Sequence, residues 1–375
     1  MTSVPIYVPI IKGKLNDLRA VGALGSGIGN AVKPLIEAMP VNPKKATAEE
    51  HVFKLCNYIL KHTPLGEAFV DFYGLLPDAT VDAGVNATIY GYRLLKSFGR
   101  YVTPVYGLER NDELWAELGS IAAAFGKGFA FRLRRDDLAD YLFEETWGQI
   151  LERSAQMGLR ARDTDIILDF GDISDSELSE LADTVISFLW HNPRIYDYRS
   201  VIVAGSSALK TVTEVGKDDI AEITRNELHL WSRLWHDMPD DLKPVYADYG
   251  VVHPDFSDLG PNKYMNAKIR YTVGDKILYF RGHGLLHPVK DYEQYHGLAH
   301  VVRADTRFKG RAYSFGDSYL DDCANRRISH GAPATWVKAD MNHHLTYVAR
   351  QVSRLVTAFL HENTEDRTET LLATI

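Results

Sequence analysis

Residues 163–174 read D-T-D-I-I-L-D-F-G-D-I-S, and this stretch decides the fold. The apolar run of residues 166–168 stops at Asp169 and Gly171, and a segment with helical spacing follows. A short continuous apolar run bounded by turn residues is typical of a strand buried on both faces, as in a parallel sheet. The acidic residues are therefore predicted at the carboxyl end of a buried parallel strand.

The same pattern recurs along the first two thirds of the chain. Further apolar runs of this kind cover residues 6–11, 32–36, 68–72, 101–106, 128–133, 200–204 and 245–247. Helical segments separate them, one of which is predicted over residues 48–61 with Thr47 as its N-cap. Eight strands alternating with seven helices predict a (β/α)8 barrel over residues 1–250. A doubly wound open sheet is the alternative, because periodicity alone does not show closure.

The pattern changes after residue 250. Residues 267–272 and 276–280 flank a Gly-Asp pair, which predicts a β-hairpin. Helical spacing follows over residues 292–302, 315–324 and 343–360, with a short extended segment at 334–337. We therefore expect residues 251–375 to form a mixed α+β extension that packs on the barrel.

Composition sets bounds on the class of protein. The chain has 375 residues, 45% of them hydrophobic, and a formal net charge of −8, which argues against a general nucleic-acid coat. Cys56 and Cys323 lie far apart and form no disulfide framework or zinc pattern. The sequence has neither a secretory signal nor an apolar run long enough to span a membrane. These features predict a soluble cytoplasmic protein without membrane partners and leave a homo-oligomer open.

Polar residues near the predicted strand ends would converge on one mouth of the barrel. They are Lys12, Glu37, Asp71, Tyr106, Arg132, Asp169, Ser206 and Asp248. Glu37, Asp169 and Asp248 are candidates for binding a divalent cation such as Mg²⁺ or for acid–base catalysis. The alternative is that these acids cap helices or pair with basic residues. A site role is less strongly indicated for Asp71, because strand alternation leaves open whether it points into the mouth or outward.

Several basic and small residues are candidates for binding an anion. Lys12 and Arg132 could face a phosphate or carboxylate at the mouth. Ser206 follows the seventh strand, where barrels often bind phosphate through backbone amides, although an ordinary turn fits equally well. Arg270 and Arg281 lie on the predicted hairpin and either reach over the mouth or remain solvated.

The last third contains the candidates for proton transfer. His343 and His344 are adjacent, so both cannot point the same way and at most one is expected in a site. Ser314 and Asp317 fit a helix start with Ser314 as the cap. The same two residues would line the mouth if the extension folds across it.

Several motifs resemble one known family. They are Y-V-P-I-I-K-G-K at 7–14, V-K-P-L-I-E at 32–37, I-L-D-F-G at 167–171, Y-A-D-Y-G-V-V-H-P at 246–254, I-R-Y-T at 269–272, S-F-G-D at 314–317 and N-H-H-L-T at 342–346. With these motifs the chain resembles the "beta protein" family of bacteriophages, prophages and bacterial genomes. The resemblance implies a phage or defence context and supplies no catalytic residues. It also draws attention to one group, in which its motifs fall: Asp248, Arg270, Arg281, Ser314, Asp317, Trp336, His343 and His344.

Two functions remain open from the sequence. The first is a hydrolase or other enzyme that acts on a phosphate-containing, nucleotide-like ligand at the mouth. Asp169 and Asp248 would be its catalytic carboxylates, and His343 or His344 would transfer the proton. The second is a non-catalytic sensor or assembly component of an anti-phage defence system, whose partner is a small phosphorylated ligand or a phage or host protein.

Overall fold

The quoted stretch forms a strand at the centre of the fold. The computed structural model describes residues 5–29, 31–63, 67–255 and 264–372, and of residues 361–372 the backbone alone. Strand β6, Thr164–Asp172, contains the predicted apolar run of residues 166–168. Gly171 adopts a φ of +63°, a conformation that glycine tolerates best, and its N–H donates to Oδ1 of Asp169 over 3.0 Å. Asp169 is thereby fixed at the carboxyl end of the strand.

Eight parallel strands close into a barrel. They are β1 Tyr7–Lys12, β2 Leu35–Glu37, β3 Phe69–Asp71, β4 Thr103–Tyr106, β5 Phe129–Arg134, β6, β7 Ser200–Ser206 and β9 Val245–Asp248. Closure comes from β1, which pairs with β2 on one side and with β9 on the other. The predicted barrel is therefore confirmed. The open sheet is wrong, because β1 and β9, the first and last strands of the barrel, pair with each other.

Alternation along the strands fills the barrel interior. The interior side chains are Val8, Ile10, Leu35, Phe69, Val105, Ala130, Ile167, Ile202, Ala204, Val245, Ala247 and Tyr249. Successive side chains of a strand point to opposite faces, so the intervening residues pack outward against the helices. This parity decides which polar residues at the strand ends face the mouth.

Helices cover the outside of the barrel. They are α1 Leu15–Gly22, α2 Ser26–Gly29, α3 Ala48–His62, α4 Ala87–Ser97, α5 Trp115–Phe125, α6 Phe143–Met157, α7 Leu178–Trp190 and α8 Asn226–Asp237. Thr47 caps α3 through a capping box with Glu50, as predicted for Thr47. The apolar faces of these helices and the outer strand residues form one continuous core.

The extension contains a second, smaller sheet. Strands β10 Asn266–Val273 and β11 Lys276–Gly284 form the predicted antiparallel hairpin around Gly274. A further strand, β8 Asp219–Thr224, adds to the other side of β11. The sequence did not predict β8, because none of its six side chains is buried. The division at residue 250 stays a prediction, since β8 precedes that boundary and pairs beyond it.

Three helices complete the extension. They are α9 Gln294–Ala304, α10 Phe315–Ala324 and α11 Pro333–Leu372. Residues 334–337 belong to α11 and not to an extended segment, because Pro333 is well suited to the first turn of a helix. Helix α11 contacts α1, α10 and β10, which joins the extension to the barrel. Within the described residues, no helix has the length and apolar character needed to cross a membrane.

Candidate functional site

Arg132 lies at the centre of the barrel mouth and is completely buried. Its Nη1 lies 2.6 Å from Oδ2 of Asp71 and 2.8 Å from Oε2 of Glu37. Its Nε donates to Oδ2 of Asp169 over 2.9 Å, and its Nη2 to the hydroxyl of Tyr249 over 3.0 Å. One guanidinium therefore ties together the ends of β2, β3, β6 and β9.

Other cations surround this centre. Nζ of Lys12 lies 2.5 Å from Oε1 of Glu37 and also donates to the carbonyl of Pro254 over 2.8 Å. Arg110 binds both oxygens of Asp71, at 2.6 and 3.1 Å. Together with Arg134 these residues form what we call the mouth cluster: Lys12, Glu37, Asp71, Arg110, Arg132, Arg134, Asp169 and Tyr249. The cluster closes the interior of the barrel with paired charges.

The cluster carboxylates are held in their ionised form. Burial would raise the pKa of Asp71, but Arg110 and Arg132 outweigh burial and hold it at about 2. In the same way the pKa of Asp169 is lowered by Arg134 and Arg132 against the effect of burial. Burial would also raise the pKa of Glu37, but Arg132 and Lys12 outweigh burial and keep this pKa below its ordinary value. These acids are therefore constant anions at neutral pH.

Arg134 has hydrogen-bonding capacity that the cluster does not use. Its Nη1 lies 3.0 Å from Oδ2 of Asp169, and its side chain is 23% exposed. Its Nε and Nη2 are buried and make no hydrogen bond to a described residue, although Nη2 lies 3.5 Å from Oε2 of Glu37. Two donor groups on one guanidinium thus remain without a hydrogen-bond acceptor in the described part of the chain.

Tyr73 lies beside the arginines and reaches solvent. Its ring centroid is 4.2 Å from the guanidinium carbon of Arg134, 5.2 Å from that of Arg110 and 5.7 Å from that of Arg132. The residue is 44% exposed. Its backbone N–H donates to Oδ1 of Asp71 over 2.9 Å, which fixes its position directly after β3.

The predicted metal site is not assembled. Glu37 and Asp169 reach the mouth, but both are bound to Arg132, whose guanidinium lies between them. Asp248 follows interior Ala247 and therefore points outward through the barrel wall. Among the residues that the structure describes, no group of three or more His, Cys, Asp and Glu side chains is placed to hold a metal ion. The three expected ligands do not converge.

Asp248 instead belongs to a buried contact between barrel and extension. It accepts hydrogen bonds from Tyr7 at 2.6 Å and from Tyr246 at 3.0 Å. Its Oδ2 also lies 3.0 Å from Nε2 of His344, whose Nδ1 is 2.7 Å from the hydroxyl of Thr272. Burial lowers the pKa of His344 despite the carboxylate of Asp248. A neutral imidazole that donates from Nε2 and accepts from Thr272 satisfies both contacts.

His343 points away from His344 into the core of the extension. Its Nδ1 lies 2.8 Å from Oδ2 of Asp317, and its Nε2 lies 2.8 Å from the carbonyl oxygen of Thr272. Ser314 caps α10 and donates to Asp317, which confirms the predicted cap. Tyr271 donates to the same carboxylate and stacks on the imidazole with 3.9 Å between the ring centroids. This group fills the interior of the extension and does not reach the mouth.

The remaining candidates of the extension are also occupied structurally. Arg270 is buried and binds Asp340 at 3.0 Å and the carbonyl of Val251 at 2.6 Å. Arg281 donates to the carbonyls of residues 213 and 215. Trp336 stacks on Tyr295 with the ring planes 12° apart. Neither arginine is a solvated residue of the hairpin.

Of the two other candidates, Ser206 points toward the barrel interior and Tyr106 points outward. Ser206 is buried at the end of β7 on the same face as interior Ala204, and its hydroxyl accepts from the N–H of Ala208 at 3.2 Å. Tyr106 packs outward, edge to face against Trp115, and its ring centroid lies 4.9 Å from the guanidinium carbon of Arg110. Strand parity accounts for both positions.

The structure also decides the direction of Asp71, which the sequence left open. Asp71 has the parity of interior Phe69 and faces the mouth together with the other residues predicted there. Tyr249 and Arg134 were not singled out, although each lies two residues beyond an inward-facing residue. Arg110 and Tyr73 come from loops after β4 and β3, and no periodicity in the sequence indicates their direction.

The fold and the mouth cluster define a (β/α)8-barrel protein with a buried arginine–carboxylate network at the carboxyl end of its strands. The model of the Beta protein family matches residues 7–350, and the chain belongs to that family. The resemblance found in the sequence motifs is thereby confirmed. A comparison with curated proteins found no match.

Two solved structures show a distant likeness to this chain. Triosephosphate isomerase from Bartonella henselae is 13% identical with a TM-score of 0.36, over 65% of this chain and 92% of that one. A putative mandelate racemase/muconate lactonizing enzyme from Sorangium cellulosum is 10% identical with a TM-score of 0.35, over 76% of this chain and 63% of that one. The barrel assignment rests on the strand pairing described above and not on these likenesses.

Proposed function

We propose that the barrel mouth binds an anionic, phosphate-containing ligand through Arg134, and that this binding is the primary function of the protein. The observation that carries the proposal is the pair of nitrogens, Nε and Nη2 of Arg134, that are buried and make no hydrogen bond to any residue that the structure describes. Nε and Nη2 form one edge of the planar guanidinium, and such an edge binds a phosphate or carboxylate through two parallel hydrogen bonds.

The charge of the mouth cluster favours an anion. Four cations, Lys12, Arg110, Arg132 and Arg134, face three carboxylates, which leaves one positive charge in excess within the cluster. Glu109 pairs with Arg110 at 3.1 Å from the rim, but its side chain is 38% exposed and therefore well screened by solvent. The negative charge of a phosphate would offset the excess where screening is weakest.

Access to Arg134 requires a small movement. Both nitrogens are covered in the described conformation, and the ring of Tyr73 lies over the guanidinium. Turning the ring aside loses a cation–π contact that is worth about 0.5–1 kcal/mol at an exposed site. Leaving buried donors without partners costs about 1–3 kcal/mol. A ligand that satisfies those donors therefore compensates for the displacement of the ring.

The cluster favours binding over hydrolysis. A general acid needs a pKa near the working pH, whereas Asp71, Asp169 and Glu37 all have lowered pKa values. The acids are also held by arginines, which limits their movement toward a reacting group. We therefore favour the sensor or assembly role over the hydrolase. A place in phage–host conflict rests on the family resemblance alone.

Phosphate binding can be measured by thermal unfolding with increasing inorganic phosphate, with sodium chloride matching the ionic strength. The parent should gain about 2.7 kcal/mol at 100 times its dissociation constant. Arg134→Met should lose this gain. The matched control is Arg93→Met, since Arg93 is 59% exposed and pairs with Glu117 on the outer helices.

Three results would contradict the proposal. They are no stabilisation of the parent by phosphate, equal stabilisation of the folded Arg134→Met variant, and loss of stabilisation in Arg93→Met. Circular dichroism establishes that each variant is folded before titration. A phosphoester turned over by the parent and not by Asp169→Asn would restore the hydrolase as the primary function.

A further inference from the structure

We propose that the ligand is a nucleotide, with Tyr73 stacking on its base while Arg134 binds its phosphate. This inference rests on the proposed function, because it adds a second contact to the same site. Tyr73 and Arg134 are adjacent, with 4.2 Å between the ring centroid and the guanidinium carbon. The two groups offer complementary chemistry, an aromatic face and a pair of hydrogen-bond donors.

The environment of Tyr73 leaves its side chain available. The residue is 44% exposed, and its hydroxyl makes no hydrogen bond to any described residue. Buried tyrosines of the same mouth differ, since Tyr249 donates to Asp169 at 2.6 Å. A tyrosine that exposes so much apolar ring beside a charged cluster gains by covering that surface. A flat, apolar partner would cover the ring without competing for the arginines.

The backbone of Tyr73 is fixed while its ring remains accessible. The hydrogen bond from its N–H to Asp71 anchors the residue to the cluster at 2.9 Å. Rotation of the side chain therefore moves the ring away from Arg134 without moving the strand end. This rotation exposes Nε and Nη2 of Arg134 to a ligand. The ring remains close enough to contact another part of the same ligand.

The nucleotide class follows from combining these two contacts. Nucleic-acid bases stack on aromatic side chains with little dependence on the base, because every base has a π-face. Phosphate is bound by the planar guanidinium edge. An inorganic phosphate or a sugar phosphate would use only Arg134, whereas a nucleotide would use both residues. The expected ligand is a nucleoside phosphate with modest preference among bases.

The test compares inorganic phosphate, ribose 5-phosphate and adenosine monophosphate by calorimetric titration of the full chain. The parent should bind adenosine monophosphate more tightly than ribose 5-phosphate. Tyr73→Leu should weaken adenosine monophosphate binding by roughly 5- to 150-fold, the range expected for one stacked base. It should not weaken the binding of ribose 5-phosphate, which no longer has to displace the ring. Tyr73→Phe keeps the ring and should bind as the parent does.

Tyr196→Leu is the matched control. Tyr196 is 43% exposed, close to the value for Tyr73, but precedes β7 at the opposite end of the barrel. Its replacement should change none of the affinities. Repeating the titration with the monophosphates of guanosine, cytidine and uridine should show the same dependence on Tyr73.

The outcomes separate this inference from the proposed function. Equal affinity of the parent for adenosine monophosphate and ribose 5-phosphate, or no effect of Tyr73→Leu, overturns the nucleotide and leaves anion binding in place. Absence of binding for all three compounds overturns the proposed function and the inference together. An equal loss in Tyr196→Leu would show that the effect is not local to the mouth.

Discussion

Nε2 of His344 lies 3.0 Å from Oδ2 of Asp248, and this hydrogen bond joins α11 to the outer face of the barrel wall. Both side chains are almost completely buried. Asp248 is therefore unavailable to a ligand in the mouth, although it ends a barrel strand. Its position predicts a structural role for a residue that the sequence suggested was catalytic.

Asp248→Asn should lower stability without changing ligand binding. The amide oxygen can still accept from His344, but the charge that faces Arg225 at 3.7 Å is lost. We expect a loss of about 1–3 kcal/mol in urea unfolding and a phosphate affinity within twofold of the parent. Arg134→Met should show the opposite pattern. A loss of phosphate binding in a folded Asp248→Asn variant would assign Asp248 to the site.

Arg132→Met should destabilise the protein severely. Arg132 is completely buried, and its removal leaves Asp71, Asp169 and Glu37 with fewer compensating charges. Breaking a buried ion pair by removing one partner costs about 3–5 kcal/mol. Arg93→Met, which breaks an exposed pair, should cost less than about 1 kcal/mol. Similar losses in urea unfolding would show that the mouth cluster contributes little to stability.

Asp17→Asn should stabilise the protein above pH 6. Burial raises the pKa of Asp17 to about 6 in spite of nearby basic residues. Because this is above the unfolded value of about 3.9, the contribution of Asp17 to stability is complete below pH 4 and falls as the pH rises through 6. The variant should therefore match the parent at pH 4 and exceed it by up to roughly 3 kcal/mol at pH 7.

The measurement for Asp17 is urea unfolding of parent and variant at intervals between pH 4 and 7. Asp197→Asn is the control, because Asp197 is exposed and pairs with Arg194 on the surface. Its stability relative to the parent should not change over this range. A difference between Asp17→Asn and the parent that is constant with pH would contradict the prediction.

Gly316→Ala should disrupt the contact between α10 and α11. A Cβ at Gly316 would lie 2.2 Å from the carbonyl oxygen of Ala339, so one of the helices must move. We expect a loss of about 1–3 kcal/mol, typical of overpacking. Gly297→Ala in α9 meets no atom within 4 Å and should stabilise by about 0.5–1 kcal/mol through helix propensity. Equal effects in thermal unfolding would contradict the close approach.

The sequence predicted the elements of the barrel because their signals are local. Buried parallel strands need continuous apolar runs, and residues 166–168 show one within a few positions. Helix caps at Thr47 and Ser314 depend on a hydroxyl three residues before a backbone N–H. The hairpin around Gly274 likewise follows from adjacent residues. Strand β8 was missed because its extended conformation depends on pairing with β11, which is distant in the sequence.

The candidate site was predicted only in part. Lys12, Arg132, Glu37 and Asp169 were expected at the mouth, and the structure brings them together. Asp248 was also expected at the mouth, but it lies on the outer face of the barrel and contacts His344 of α11. Arg110 and Tyr73 complete the arrangement from loops whose direction depends on the rest of the fold. The sequence therefore located the charges but not their partners.

By itself, the sequence determined the eight barrel strands, most of the helices and the chemical types available near the strand ends. Only the tertiary structure decided that Asp71 faces inward and Asp248 outward. The physical reason is that a shift of one residue along a strand moves every side chain to the opposite face. A continuous apolar run does not show which of its residues face inward. Closure of the barrel decides which face each side chain takes, and with it which charged residues meet at the mouth beside Arg134 and Tyr73.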